Sequence, residues 1–122
     1  MVTAELLGPD SVPLETIMER AARHGMATGL VATSSIVHAT PASFAAHVTD
    51  RGEYEEIAAQ MAASPVNVLL GGGRAYFDPA LREDGENHLI PLAERRRTVT
   101  SVAELSEVAG SEAPGLVGLF AE

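Results

Sequence analysis

The chain has 122 residues, 46% of them hydrophobic and 20% charged, which suits one soluble domain with a single core and leaves no apolar run long enough to span a bilayer. Eight arginines and no lysine face 17 acidic residues, and the net charge of -9 repels nucleic acid phosphates and anionic membranes, so neither is expected as a partner. With no cysteine, disulfides and thiolate metal sites are excluded, and with aromatics at 4% the core must be aliphatic.

Met1 to Pro9 reads as a lead-in without the basic and apolar segments of a secretory signal, which leaves the compartment unassigned. Asp10 or Ser11 is placed to cap a first helix, with Pro13 in its first turn. Leu14, Ile17, Met18 and Ala21 form its apolar face, and Gly25 is placed to end it. Met26 to Thr33 is apolar on both parities and predicts a buried parallel strand. Thr40-Pro41 predicts a second helix, Thr40 as N-cap and Pro41 as first residue, with Pro41, Phe44, Ala45 and Val48 inward. Glu53 to Ala63 predicts a third helix that buries Ile57, Ala58 and Met61 and stops at Ser64-Pro65.

Val66 to Leu70 predicts the second strand, closed by Gly71-Gly72-Gly73. Residues 74–97 then form a polar excursion with a short helix, pinned by Tyr76 and Phe77. Arg95-Arg96-Arg97 reads as a solvated helix end, because cations favour a helix C-terminus. Thr98 to Thr100 is a minimal strand. Ser101-Val102-Ala103-Glu104 is a capping box for a helix through Val108 ended by Gly110, and Leu116 to Ala121 is a last strand. Alternation of this kind predicts an α/β fold with a mostly parallel sheet flanked by helices.

Ligand-binding loops of such folds lie beyond the carboxyl ends of the strands, so the stretch from Thr33 to Arg51 is where chemistry is expected. If the chain is extended there, His38 and Thr40 point the same way. Thr40 then reads either as a helix cap or as an oxygen ligand suited to Mg²⁺. Arg51, after the following helix, has the planar fork that holds a phosphate by two parallel hydrogen bonds. Gly71 to Gly73 reads as a sharp turn, with a phosphate-cradling nest as the alternative. No histidine pair has zinc-motif spacing: His24 reads as a helix-end cation, His47 as a core or supporting histidine, and His88 as a loop residue. No serine sits in a nucleophile elbow.

The block from Gly29 through His38-Ala39-Thr40-Pro41-Ala42 to His47-Val48 and Arg51 resembles alkaline phosphatase. Glu56-Ile57-Ala58 with Gln60, Val68 to Gly73, and Leu116 to Ala121 follow in the same order, so the resemblance runs from about Val12 to Glu122. It implies part of that family's three-layer fold as one domain over 1–122. It also implies phosphomonoester hydrolysis using Zn²⁺ and Mg²⁺, with Thr40 as a Mg²⁺ ligand, Arg51 on the substrate phosphate and His38 near the Mg²⁺ site. The family's nucleophile and zinc ligands have no counterpart in this chain. The isolated segment is therefore expected to be inactive alone. The alternatives are a non-catalytic complementation module, associating through exposed sheet edges, and a small phosphate-binding module.

Overall fold

The computed structural model describes residues 13–108 and 115–122. Four strands make one parallel sheet: β1 (Gly29–Ser35), β2 (Val68–Gly72), β3 (Arg97–Val99) and β4 (Leu116–Leu119), in the spatial order β1-β2-β4-β3. Helices α1 (Ile17–Arg23), α2 (Ala39–Ala42), α3 (Tyr54–Ala63), α4 (Leu89–Glu94) and α5 (Val102–Val108) fill the sequence between them, with a 3₁₀ turn at Arg74–Tyr76. The expected α/β alternation and parallel sheet are both present.

Register explains which face holds the core. Leu30 pairs with Leu69, and Leu69 with Val117, so three apolar side chains form a row across the sheet. All three are buried and pack with Ile57, Ala58 and Met61 of α3, Phe77 of the excursion and Leu92 of α4. Phe77 is fully buried and Tyr76 packs partly buried against the same core, so both pin the excursion as expected. The opposite face differs: Val31, one residue along β1, is 75% exposed. The resulting shallow groove runs past Leu70, Leu105 and Phe120. Among the described residues β1 is also an edge strand, since it pairs only with β2.

Several boundaries differ from the sequence reading. α1 is capped by Thr16, which accepts from the Glu19 amide while the Glu19 carboxylate accepts from the Thr16 amide. This reciprocal capping box outcompetes an earlier start, and Asp10 and Ser11 lie outside the described residues. Ile17 is 74% exposed, so the apolar face of α1 is narrower than expected. Gly25 does follow the helix with φ of 77°. α2 is a single turn capped by His38, which places Thr40 and Pro41 at the second and third helical positions. Pro41 is tolerated there because the first four helical amides have no intrahelical acceptor to lose. In α5 the Glu104 amide donates to Ser101 as expected, but the Glu104 carboxylate accepts from Thr100 instead. Gly110 is outside the described residues.

The arginine run is the largest departure. Arg97 opens β3, and Arg96 is only 4% exposed. Its guanidinium donates to the carbonyls of Val66 and Ser64 at 2.8 Å each, and to those of Ala62 and Leu92 at 3.3 and 3.4 Å. A solvated helix end is thus wrong for Arg96: it caps the C-terminus of α3 from inside the protein.

The excursion is held by a second buried arginine. Arg82 donates to the carbonyls of Tyr76 (2.7 Å) and Glu55 (3.1 Å) and pairs with Asp84 through Nε at 2.8 Å. The Arg82 hydrogen bond, helped by the Glu86 amide, lowers the Asp84 carboxyl to about 2. Its folded-state value is below the ordinary 3.8, so this contribution is present above that pH and is lost as pH falls towards 2. Urea unfolding between pH 5 and pH 2 should show stability falling across that window, with Asp84→Asn flattening the fall. An unchanged slope in the variant would contradict the assignment.

Candidate functional site

The carboxyl ends of the strands are laced together by backbone hydrogen bonds. The Ile36 amide donates to the Gly72 carbonyl at 3.0 Å, and the Gly73 and Arg74 amides both donate to the Ala121 carbonyl, at 3.0 and 3.1 Å. This lacing overturns the anion-nest alternative for the triple glycine. Gly71 and Gly72 are strand residues of β2, and the amides of Gly73 and Arg74 are already taken by a carbonyl. Gly73 alone makes a turn, with φ of 89°.

From this rim the chain leaves β1 and turns at once. The His38 amide donates to the Ser35 carbonyl at 3.0 Å, and Ile36 and Val37 bury completely. That anchoring leaves His38 exposed at the cap of α2, with no side-chain capping bond. Thr40 lies in the first turn with an exposed side chain whose hydroxyl has no hydrogen-bond partner among the described residues. The capping role for Thr40 is therefore wrong. So is the expectation that His38 and Thr40 share one extended stretch, because residues 39 and 40 are helical and the alternation of an extended chain does not apply. A free hydroxyl at a helix start remains suited to a hard cation.

Arg51 comes from the loop between α2 and α3. Its guanidinium Nη2 stands 3.5 Å from Nε2 of His38, so the fold brings together two residues 13 positions apart in sequence. Arg51 is half-buried and has no carboxylate partner among the described residues, which leaves its fork available to an anion. In the tautomer that accepts from Arg51, the His38 imidazole is neutral at Nε2. Asp50, the nearest acid in sequence, is turned to its own loop and accepts from the Gly52 amide at 2.7 Å.

The other histidines are elsewhere. His24 ends α1, and His88 meets Glu86 at 3.1 Å in the excursion. His47 points its Nε2 at both oxygens of Glu19, at 2.9 and 3.0 Å, a supporting contact rather than part of the His38–Arg51 pair. No group of three histidines or carboxylates able to hold a metal occurs among the described residues. The described residues therefore do not fit a zinc site, and Thr40 offers a single exposed hydroxyl oxygen, the kind of atom a hard cation accepts. No helix among the described residues is long and apolar enough to cross a membrane.

The loop carrying Arg51 depends on residues that the sequence reading left out of the site. Thr16 donates through its hydroxyl to the Phe44 carbonyl at 2.8 Å, and Gln60 of α3 bonds both backbone groups of His47. The Thr16-x-x-Glu19 pattern was a readable signal for the first. Gln60 entered the sequence reading only as part of the family resemblance, with no role attached, because a glutamine on a helix reads as surface.

Comparison with known proteins gives the family and the fold. A family profile described as alkaline phosphatase matches residues 6–122. Alkaline phosphatase 3 of Bacillus subtilis is 47% identical over 75 residues, covering 57% of this chain and 16% of that protein. The alkaline phosphatase of Schizosaccharomyces pombe is 33% identical over 123 residues, covering 90% of this chain and 23% of that protein. The structure of alkaline phosphatase from the Antarctic bacterium TAB5 superposes with a TM-score of 0.84 at 38% identity, covering 95% of this chain and 34% of that one. A histidine-to-aspartate variant of that enzyme, described with Mg bound in its M3 site, superposes equally, with a TM-score of 0.84 at 37% identity, over 95% of this chain and 33% of that one. The chain thus spans about a third or less of the length of these relatives, and its sheet and helices are part of their three-layer α/β architecture. By sequence match and by fold, it belongs to the alkaline phosphatase family.

Proposed function

We propose that this chain supplies one wall of a phosphomonoesterase active site: Arg51 to bind the substrate phosphate, Thr40 as a Mg²⁺ ligand, and His38 beside them. The observation that carries the reading is the 3.5 Å approach of Arg51 to His38 just past the carboxyl end of β1. In a chain of net charge -9, an arginine with no acidic partner among the described residues is a local attractor for a phosphate dianion. Its two parallel N–H groups match two phosphate oxygens, so binding also orients the ester. His38 stands at the near side of that guanidinium and limits how the fork rotates. Thr40 offers the exposed oxygen that Mg²⁺ prefers; when bound, that ion adds positive field near the phosphate and orders water in its shell.

Among the described residues the proposed wall holds neither a serine beside an evident base nor a zinc-binding set, and its proposed role is to bind phosphate without turning over an ester. One domain over 1–122, with 74–97 as its polar excursion, is the unit that presents the wall. The test is p-nitrophenyl phosphate hydrolysis by the purified chain with Zn²⁺ and Mg²⁺ added. No turnover above the metal-ion blank is expected, and robust turnover would sink the reading. Phosphate binding is the positive arm: inorganic phosphate should shift the backbone amide resonances around His38 and Gly52 in the wild-type chain and leave the same amides unmoved in Arg51→Ala.

A second reading, a non-catalytic piece that completes its sheet with another polypeptide, is favoured by the exposed β1 edge and by Val31 beside it. Parallel sheets are ordinarily covered on both faces, and an open edge invites pairing. Light scattering decides this one, since a clean monomer at high protein concentration rules it out.

A further inference from the structure

The segment from Ser43 to Gly52 carries Arg51. Its amides from Ser43 to Ala46 tie back to α2 and the turn at Asp50 to Tyr54 closes its far end, but between them, among the described residues, no backbone–backbone hydrogen bond is made. What holds the middle is a side chain. The Gln60 carboxamide accepts from the His47 amide at 2.6 Å and donates to the His47 carbonyl at 3.0 Å. One planar amide thereby satisfies both polar groups of one residue, as a neighbouring strand does in a sheet. Glu56, one turn earlier on α3, accepts the other Gln60 proton at 2.9 Å and fixes which end of the amide faces which group.

The same residue is gripped from the opposite side. The His47 imidazole reaches the Glu19 carboxylate of α1, and Thr16 holds the Phe44 carbonyl. The grip therefore joins α1, the Arg51 loop and α3 four residues before Arg51. Val48, the next residue, is buried, which carries the constraint forward along the chain. At the far end Glu53 and Tyr54 start α3, so the loop is fixed at both ends by the helix that bears Gln60.

We infer that Gln60 is a positioning residue for Arg51: its amide clasp on the His47 backbone sets the loop so that the guanidinium meets the phosphate beside His38. This deepens the phosphate-binding role proposed for Arg51 and rests on it. A loop without the clasp keeps its arginine but samples other placements, and affinity falls by the fraction of chains in the competent one.

The test follows phosphate binding by the whole 122-residue chain, using inorganic phosphate and the Arg51 side-chain resonances. Gln60→Met keeps the helix and most of the bulk and removes both hydrogen bonds to His47. We expect roughly tenfold weaker phosphate binding, with amide shifts confined to the segment from Ala46 to Gly52. Leu92→Ala, in the core far along the chain, is the control for general destabilisation: it lowers Tm and leaves phosphate affinity unchanged. Gln60→Glu retains the acceptor for the His47 amide and is expected to lose less affinity; it decides the matter if Gln60→Met does not fold. Wild-type affinity in a folded Gln60 variant overturns the inference and leaves the Arg51 reading standing. No phosphate response in the wild-type chain overturns both.

Discussion

Arg96→Ala is expected to cost about 4 kcal/mol of folding stability, a large share of the 5–15 kcal/mol typical of a domain. Four backbone carbonyls, from Ala62, Ser64, Val66 and Leu92, take their hydrogen bonds from this one guanidinium. Two of them, on Ala62 and Ser64, cluster at the negative end of α3, where a positive charge is also favoured by the helix dipole. Burial first, and the neighbouring Arg95 second, push the Arg96 guanidinium below the usual arginine value, so the charge is held at a cost. That cost decides the sign of a control. Arg96→Met removes the expensive charge but leaves the carbonyls without donors, and unpaired buried acceptors cost roughly 1–3 kcal/mol each before water is admitted. Methionine is therefore expected to recover only part of the loss. Arg96→Lys places one ammonium where a five-donor fork spans acceptors on two sides, and it should fall between wild type and alanine. Urea unfolding followed by circular dichroism measures all three. An Arg96→Met chain as stable as wild type would mean that the carbonyls find other partners and that the network adds nothing.

Arg96 also shows where reading the sequence stops. Three consecutive arginines after an amphipathic stretch look like a solvated helix end, and local charge chemistry supports that. What overrides it is a set of acceptors brought in from residues 62 to 66, which no local pattern reveals. Elements that depend on local signals were legible: the apolar runs of β1, β2 and β4, the buried triad Ile57, Ala58 and Met61 on α3, and the glycine that ends α1. Boundaries were less so where two local signals competed. Thr40-Pro41 is a strong helix start in isolation, but the tight turn from Ser35 to His38 begins the helix two residues earlier. Of the candidate site, His38, Thr40 and Arg51 stood out by their place past the end of β1 and their chemistry, and a family resemblance attached roles to them. That Arg51 could turn towards the volume beside His38 was readable from its place after the following helix, but their 3.5 Å approach was not. Gln60 was noted as part of the resemblance, but its hold on the loop was not readable because its partner is a backbone, and backbones carry no sequence signature.

Gly73→Val is expected to cost about as much as Arg96→Ala, roughly 4 kcal/mol, from two sources that can be separated. The first is conformational. Gly73 sits at φ of 89°, a left-handed region that a β-branched side chain enters at a cost of about 1–3 kcal/mol. The second is steric. A Cβ built on Gly73 falls 2.2 Å from the Ser35 hydroxyl and 3.2 Å from its Cβ, at the point where β1 gives way to the His38 turn. Overpacking of this kind typically costs about 1–3 kcal/mol and is relieved by moving something. The mobile partner is Ser35, whose hydroxyl accepts from the Val37 amide at 3.4 Å and whose carbonyl anchors the His38 amide. Relief of the clash therefore displaces the turn that presents His38 to Arg51. A double-mutant cycle with Ser35→Ala divides the two costs, because alanine removes the hydroxyl and leaves the backbone angle untouched. The expected coupling is about 1–2 kcal/mol in favour of the double variant, with the remainder of the Gly73→Val loss persisting as the backbone cost. Phosphate affinity should fall in Gly73→Val and recover partly in the double variant, since the shared cause is the position of His38. Gly73→Val with wild-type stability would show that the turn can reform with φ below zero. A double variant no better than Gly73→Val would assign the entire cost to the backbone.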